Sequence, residues 1–159
     1  MYYAGCRKLN FGVETGSITI LKSIHKRISL EQVLEIAEFG SALRIHTSFN
    51  FMIPHPEDSV ETLCETLDFA QRLAQFPTVT VTFNATTVFP GTGYFENRDE
   101  LGIRIIEEEP SNSFFINPNL ETRFLTKNDI SRFLARGLLL EAKSLEKIQS
   151  VLGGEQFGD

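Results

Sequence analysis

The chain has 159 residues, 42% of them hydrophobic and 23% charged, which suits one soluble domain with a real core. Its formal net charge of −6 argues against a broad nucleic-acid surface, and no apolar run is long enough to span a bilayer. Two cysteines, Cys6 and Cys64, without CxxC spacing argue against a disulfide scaffold and against a complete zinc or iron–sulfur site within the chain. With no signal peptide visible, a cytoplasmic location is expected.

After a turn at Gly5, residues 7–14 read as a short strand with Leu9, Phe11 and Val13 on one face. Ser17 is placed to cap a short helix containing Ile20, Leu21 and Ile24. Ser29, with Gln32 three residues on, predicts a second helix running to about Leu43. A second strand is expected from about Arg44 to Ile53, followed by the loop Pro54-His55-Pro56-Glu57-Asp58. Asp58 or Ser59 then caps a helix to about Gln75, with Val60, Leu63, Cys64, Leu67, Ala70 and Leu73 at helical spacing. A third strand spans about Val79 to Val88, rich in Thr, Val and Phe. Pro90-Gly91-Thr92-Gly93 turns into a short helix ending near Gly102. From Ile103 to Leu125 the periodicity fades into an extended loop, with a short strand expected at Phe114 to Ile116. Thr126 caps a long last helix that Gly153-Gly154 stops.

Strands alternating with helices over short loops predict successive βα units of a parallel sheet. Parallel strands covered on both faces are usually apolar throughout. These alternate instead. Lys8, Asn10 and Glu14 interleave with Leu9, Phe11 and Val13. His46, Ser48 and Asn50 interleave with Ile45, Phe49 and Phe51. Thr80, Thr82, Asn84 and Thr86 interleave with Val79, Val81, Phe83 and Ala85. One face should meet the helices. The other either lines a ligand-filled lumen or stands open to solvent, and periodicity does not choose between these. The strand C-termini, at Glu14-Thr15-Gly16-Ser17, Pro54-His55-Pro56 and Pro90-Gly91-Thr92-Gly93, are where α/β proteins place ligands.

Three of these segments resemble a known family. Gly12-Val13-Glu14-Thr15-Gly16-Ser17 followed by Lys26, then Phe51-Met52-Ile53-Pro54-His55-Pro56-Glu57-Asp58-Ser59, then Phe89-Pro90-Gly91-Thr92, resemble strand ends of the radical S-adenosylmethionine superfamily. The form Pro-His-Pro-Glu-Asp-Ser is most similar to its cobalamin-binding-domain branch, which includes anaerobic magnesium-protoporphyrin IX monomethyl ester oxidative cyclases. The resemblance implies an α/β fold, the C-terminal half of a partial (β/α)6 TIM-like barrel. It would have about three parallel strands with helices on one side, over residues 1–105. Residues 106–159 would form a C-terminal extension with a loop and long helix.

The implied parent enzyme generates a 5′-deoxyadenosyl radical from S-adenosylmethionine, using a [4Fe–4S] cluster, for hydrogen abstraction. The branch also implies cobalamin on a domain outside this chain. The three closely spaced cluster cysteines of the family are absent here, so the chain is expected to be an inactive fragment partnered by a missing N-terminal half. A small-molecule substrate is expected as a further partner.

By the same resemblance Glu14 contacts the ribose or methionyl part of the cofactor, Lys26 faces its carboxylate, Asn50 meets ribose and Met52 packs on adenine. Asn84 and Thr86 are further contacts. Val88, Pro90 and Gly91 flank adenine through the backbone. Each residue also has a plainer role: Glu14 as a helix-start acid, Lys26 as a solvated charge, Asn50 and Met52 as lumen filling. His55, between two prolines, is a candidate proton donor or ligand, with an exposed loop residue the plainer expectation. The alternative function is a non-catalytic ligand-binding or scaffold module, self-associating as a homodimer through an exposed strand edge.

Overall fold

A computed structural model describes residues 2–107 and 116–152. After a 3-10 turn at Tyr2–Ala4 come β1 (Lys8–Glu14), α1 (Ile18–Ser23), α2 (Leu30–Ala42), β2 (His46–Ile53), α3 (Val60–Leu73) and β3 (Val79–Ala85). Two single-turn helices, α4 (Gly93–Glu96) and α5 (Arg98–Leu101), precede the short strands β4 (Arg104–Ile105) and β5 (Leu120–Glu121). The helix α6 (Lys127–Leu152) follows.

The three long strands form one parallel sheet in the order β1-β2-β3. This is the expected α/β architecture: a three-stranded parallel sheet with helices and a C-terminal helix. Register puts Phe11 beside Phe49 and Phe49 beside Val81, with Phe51 beside Phe83. Partners in a parallel ladder point to the same face, so the odd-numbered rows form one apolar surface. Phe11 stacks on Phe49 at 5.7 Å and Phe51 on Phe83 at 5.1 Å, while Phe69 of α3 meets Phe51 edge-on. Offset ring packing of this kind adds to burial.

Local signals explain the helices. Ser59 and Thr62 form a reciprocal capping box at the start of α3, whose apolar stripe is buried at Leu63, Leu67, Phe69, Ala70 and Leu73. Ser29 accepts from Gln32 N–H at the start of α2. Thr126 and Asp129 bond reciprocally before α6. Ile130, Phe133 and Leu134 of α6 join the same core cluster as the three strands.

At Gly137 the helix lies against Phe83 so closely that an added Cβ would stand 2.4 Å from the ring. Beyond that contact α6 covers the free edge of β3. Ser144 Oγ accepts from Val81 N–H at 3.2 Å, and a Glu141 carboxylate oxygen accepts from Phe83 N–H at 3.2 Å. The outward amides of an edge strand are thus satisfied by helix side chains.

Two details differ from expectation, and one contact is unanticipated. The helix expected to end near Gly102 is split at Asn97, which caps α4 at its C-terminus and α5 at its N-terminus. Residues 103–125, expected as loop, contain an antiparallel pair, Arg104 with Glu121 and Ile105 with Leu120. Two-residue strands are too short to register as a period. Lys147 of α6 donates to the carbonyls of Ala74 and Phe76, tying α6 to the end of α3. The expected strand at Phe114 to Ile116 lies outside the described residues except for Ile116, and so does the Gly153-Gly154 stop. No helix among the described residues is long and apolar enough to cross a membrane.

Candidate functional site

At the C-terminal end of β1 the ladder slips between Gly12 and Glu14. A bulge of this kind re-aims the following side chain. Val13 is buried in the core, while Glu14, at φ 73°, joins Asn50, Met52 and Asn84 around an open cleft. Ala85, Thr87, Phe51 and Phe89 complete its lining, and its volume is about 230 Å3. A positive φ is uncommon for a residue with a Cβ, and such residues gather at ligand sites.

Lys26, in the turn after α1, holds Glu14 Oε1 at 2.9 Å, with both side chains about a quarter to a third exposed. Gly12 leaves the room for this: a Cβ there would stand 2.6 Å from Glu14 Oε1. Glu14, Asn50, Met52 and Asn84 thus stand together, with Lys26 joined through the ion pair.

The remaining residues expected at the site are placed differently. Thr86 is buried beside the end of β2, its N–H donating to Ile53 O at 2.8 Å. Val88 is buried, and its N–H and C=O are both taken by the Asn119 side-chain amide at 3.0 and 3.1 Å. Val88 and Pro90 line a neighbouring cleft of about 520 Å3 with Phe95, Arg98, Asp99, Ile103, Arg104 and Ile105. Gly91 is exposed at φ 84°, and its N–H donates to Glu96 Oε1.

His55 is the largest departure. It is 2% exposed, not a surface residue. Its N–H donates to Asp58 Oδ2 at 2.7 Å, and Nδ1 bonds the Tyr94 hydroxyl at 3.0 Å. Burial pushes the imidazole pKa down to about 4, the Glu14 charge opposing and the Lys26 charge adding. Burial likewise raises Asp58 to about 6, against hydrogen bonds from Thr62 and the His55 N–H that lower it, while Glu65 adds to the rise. Tyr94 rises to about 12 through burial and then the Asp58 and Glu14 charges. No turn rule in the sequence signals this bond, because Asp58 accepts from an N–H three residues before it, whereas an Asx turn uses an N–H two residues after the Asp. Nothing in the sequence indicates Tyr94, which arrives from the helix after β3.

Buried side-chain atoms without a hydrogen-bond partner among the described residues are Ser17 Oγ, His55 Nε2 and Thr86 Oγ1. Each lies just past the C-terminal end of a different strand of the parallel sheet. Buried polar atoms are nearly always satisfied, so a run of exceptions along one end of a sheet marks a place for water or ligand. Among the described residues no group of three or more His, Cys, Asp or Glu is arranged to hold a metal ion.

A three-stranded parallel sheet with helices and a mixed polar and apolar cleft at its strand C-termini defines an α/β architecture. No family model matches the chain. It is similar to an uncharacterised methyltransferase of Pyrococcus horikoshii, 25% identical over 143 residues, covering 87% of this chain and 29% of that protein. The chain therefore spans less than a third of the length of the curated relative it matches.

That similarity corrects the functional expectation. A relative named as a methyltransferase points away from the radical S-adenosylmethionine assignment, from the oxidative cyclase of porphyrin type and from hydrogen abstraction by a 5′-deoxyadenosyl radical. The iron–sulfur and cobalamin expectations are set aside with them, because the relative's name supports neither group. The three strand-end segments that suggested the family are short, and turns built from Gly, Pro and Glu after parallel strands serve many α/β ligand sites.

Proposed function

We propose that the chain is the S-adenosylmethionine-binding part of a methyltransferase, with the cofactor across the C-terminal ends of β1, β2 and β3. The observation that carries this is the cleft where the bulge at Glu14 meets Asn50, Met52 and Asn84. The donor set fits a nucleoside. A carboxylate accepts from both hydroxyls of a ribose, carboxamides pair with ring nitrogens or hydroxyls, and a thioether packs on a flat base. Lys26 supplies a cation for the amino-acid carboxylate. Thr86, Val88, Pro90 and Gly91 border this region in the same proposal. The name of the Pyrococcus relative supports the reaction class.

When bound, the cofactor supplies an electrophilic sulfonium methyl, which an acceptor's lone pair takes while the carbon–sulfur bond pair stays on sulfur. The chain's own residues bind and orient. Glu14, oriented by Lys26, would hold the ribose. Asn50 and Asn84 would fix the base, and Met52 with Phe89 would shield it from water.

A cleft of about 230 Å3 is smaller than the ~300–1,000 Å3 usual for a small-molecule pocket. In this proposal the sheet is an arc of a larger α/β barrel, and further protein completes the wall and brings the small-molecule acceptor. The free thiols of Cys6 and Cys64 suit a cytoplasmic protein.

The test is a titration of the 15N-labelled chain with S-adenosylhomocysteine at millimolar concentration. Saturable amide shifts centred on Glu14, Asn50, Met52 and Asn84 are expected, weakened about tenfold by Glu14→Ala, as for loss of one charge-assisted contact. Absent shifts, or shifts confined to other elements, would overturn the proposal.

A further inference from the structure

His55 has the marks of a prepared contact. Prolines flank it, its backbone N–H is fixed by Asp58 and its ring is fixed by Tyr94, which also meets it edge-on with centroids 6.5 Å apart. One end of the ring is therefore fully engaged, and the other, Nε2, has no partner although it is buried. The side chains whose charges reach it are Glu14, which lines the cleft, and Lys26, its ion-pair partner.

We infer that His55 is a cofactor-binding residue whose Nε2–H donates to a ligand oxygen, with Tyr94 as the positioning residue that sets this tautomer. This rests on the proposed function, since the oxygen belongs to the same bound S-adenosylmethionine.

Neither His55 nor Tyr94 is charged at ordinary pH. The Tyr94 phenol keeps its proton at ordinary pH, its pKa raised to about 12, and the imidazole is uncharged there, its pKa lowered to about 4. A neutral phenol can donate to Nδ1 or accept from it; in the proposed arrangement it donates, which places the ring proton on Nε2. Nε2 is then a donor in need of an acceptor. The ligand offers two kinds, ribose hydroxyls and a methionyl carboxylate.

Amide isosteres separate the two ends of the ring. His55→Asn keeps an acceptor where Nδ1 stands and loses the distal donor, whereas His55→Gln can place a donor near Nε2. In calorimetric titration of the full chain, His55→Asn is expected to bind S-adenosylhomocysteine about tenfold more weakly, the loss of one buried hydrogen bond. His55→Gln should stay within about threefold of the wild type. Methylthioadenosine, which lacks the carboxylate, distinguishes the acceptors: an undiminished His55→Asn effect assigns a ribose hydroxyl, and its disappearance assigns the carboxylate.

Ring 15N spectra supply a readout that a structural role would not move. They should show protonated Nε2 in the free wild type, a shift of that nitrogen on ligand addition, and mixed tautomers in Tyr94→Phe. Wild-type binding with no loss in His55→Asn, or a ring nitrogen that does not respond to ligand, would assign Nε2 to an internal water and end the proposal. Failure of the wild type to bind at all would instead remove the proposed function on which it rests.

Discussion

The two faces of the parallel sheet obey different rules. On the odd-numbered face Phe49, Phe51, Val79 and Val81 are all completely buried. The even-numbered face carries Asn10, Ser48, Asn50, Thr80, Thr82 and Asn84 at matching registers. The first face is explained by the fold alone. The second buries Ser48 and Thr80, the latter bonded to His46, and its polar rows end at the cleft and close to the unpartnered buried atoms. Under the proposed function, stability and binding are carried by opposite sides of the same three strands, which makes them separable by mutation.

The largest effect should come from the packed face. Phe51→Ala removes a ring that stacks on Phe83 and touches Phe69, and a cost of about 3–5 kcal/mol is expected in urea unfolding. If the cost is below about 1 kcal/mol, the aromatic face is not the core.

The next prediction concerns pH. His55 has its folded pKa depressed to about 4, so its contribution is present above its unfolded value near 6.5 and is lost as pH falls through 4. Asp58 has its folded pKa raised to about 6, so its contribution is present below its unfolded value near 3.8 and is lost as pH rises through 6. Between about pH 4 and 6 the two slopes oppose each other. Asp58→Asn should therefore lose stability more steeply than the wild type as pH falls from 6.5 to 4. His55→Gln should lose it more steeply as pH rises from 4 to 6. Each difference is roughly 2–3 kcal/mol across the window, read from denaturation midpoints. Parallel profiles for all three proteins would show that these groups do not titrate as described.

Ser144→Ala should cost about 1–2 kcal/mol, because it strands the Val81 N–H under α6. Thermal melts would detect it, and an unchanged melt would mean that water replaces the hydroxyl. The smallest stability effect belongs to the cleft: Asn50→Ala and Asn84→Ala should stay within about 0.5 kcal/mol of the wild type while weakening S-adenosylhomocysteine binding severalfold. Destabilisation comparable to that of Phe51→Ala would make the polar row structural.

The alternation that separates the faces was legible in the residues. Period two in three segments predicts parallel strands with one apolar side, and capping signals at Ser29, Ser59 and Thr126 locate the helix starts. Glu14, Asn50, Met52 and Asn84 converge because strand ends in a parallel sheet converge. What sequence could not show depends on contacts between distant segments. The bulge before Glu14 is a matter of register between β1 and β2. The burial of His55 requires Tyr94 from beyond β3, and the engagement of Val88 requires Asn119 from β5's approach. Short turn motifs also led too far, because Gly, Pro and Glu after a strand describe a backbone geometry shared by many chemistries.

The helix that seals β3 also limits how copies of this chain can meet. Open-ended stacking of sheets needs two unlike borders, so that each newcomer leaves a fresh one behind. Here Ser144 and Glu141 occupy the β3 border, whereas Lys8, Asn10 and Gly12 of β1 at the opposite end of the sheet are exposed. Any strand that sought to extend the sheet on the β3 side would first have to prise the Ser144 hydroxyl and the Glu141 carboxylate off the Val81 and Phe83 amides.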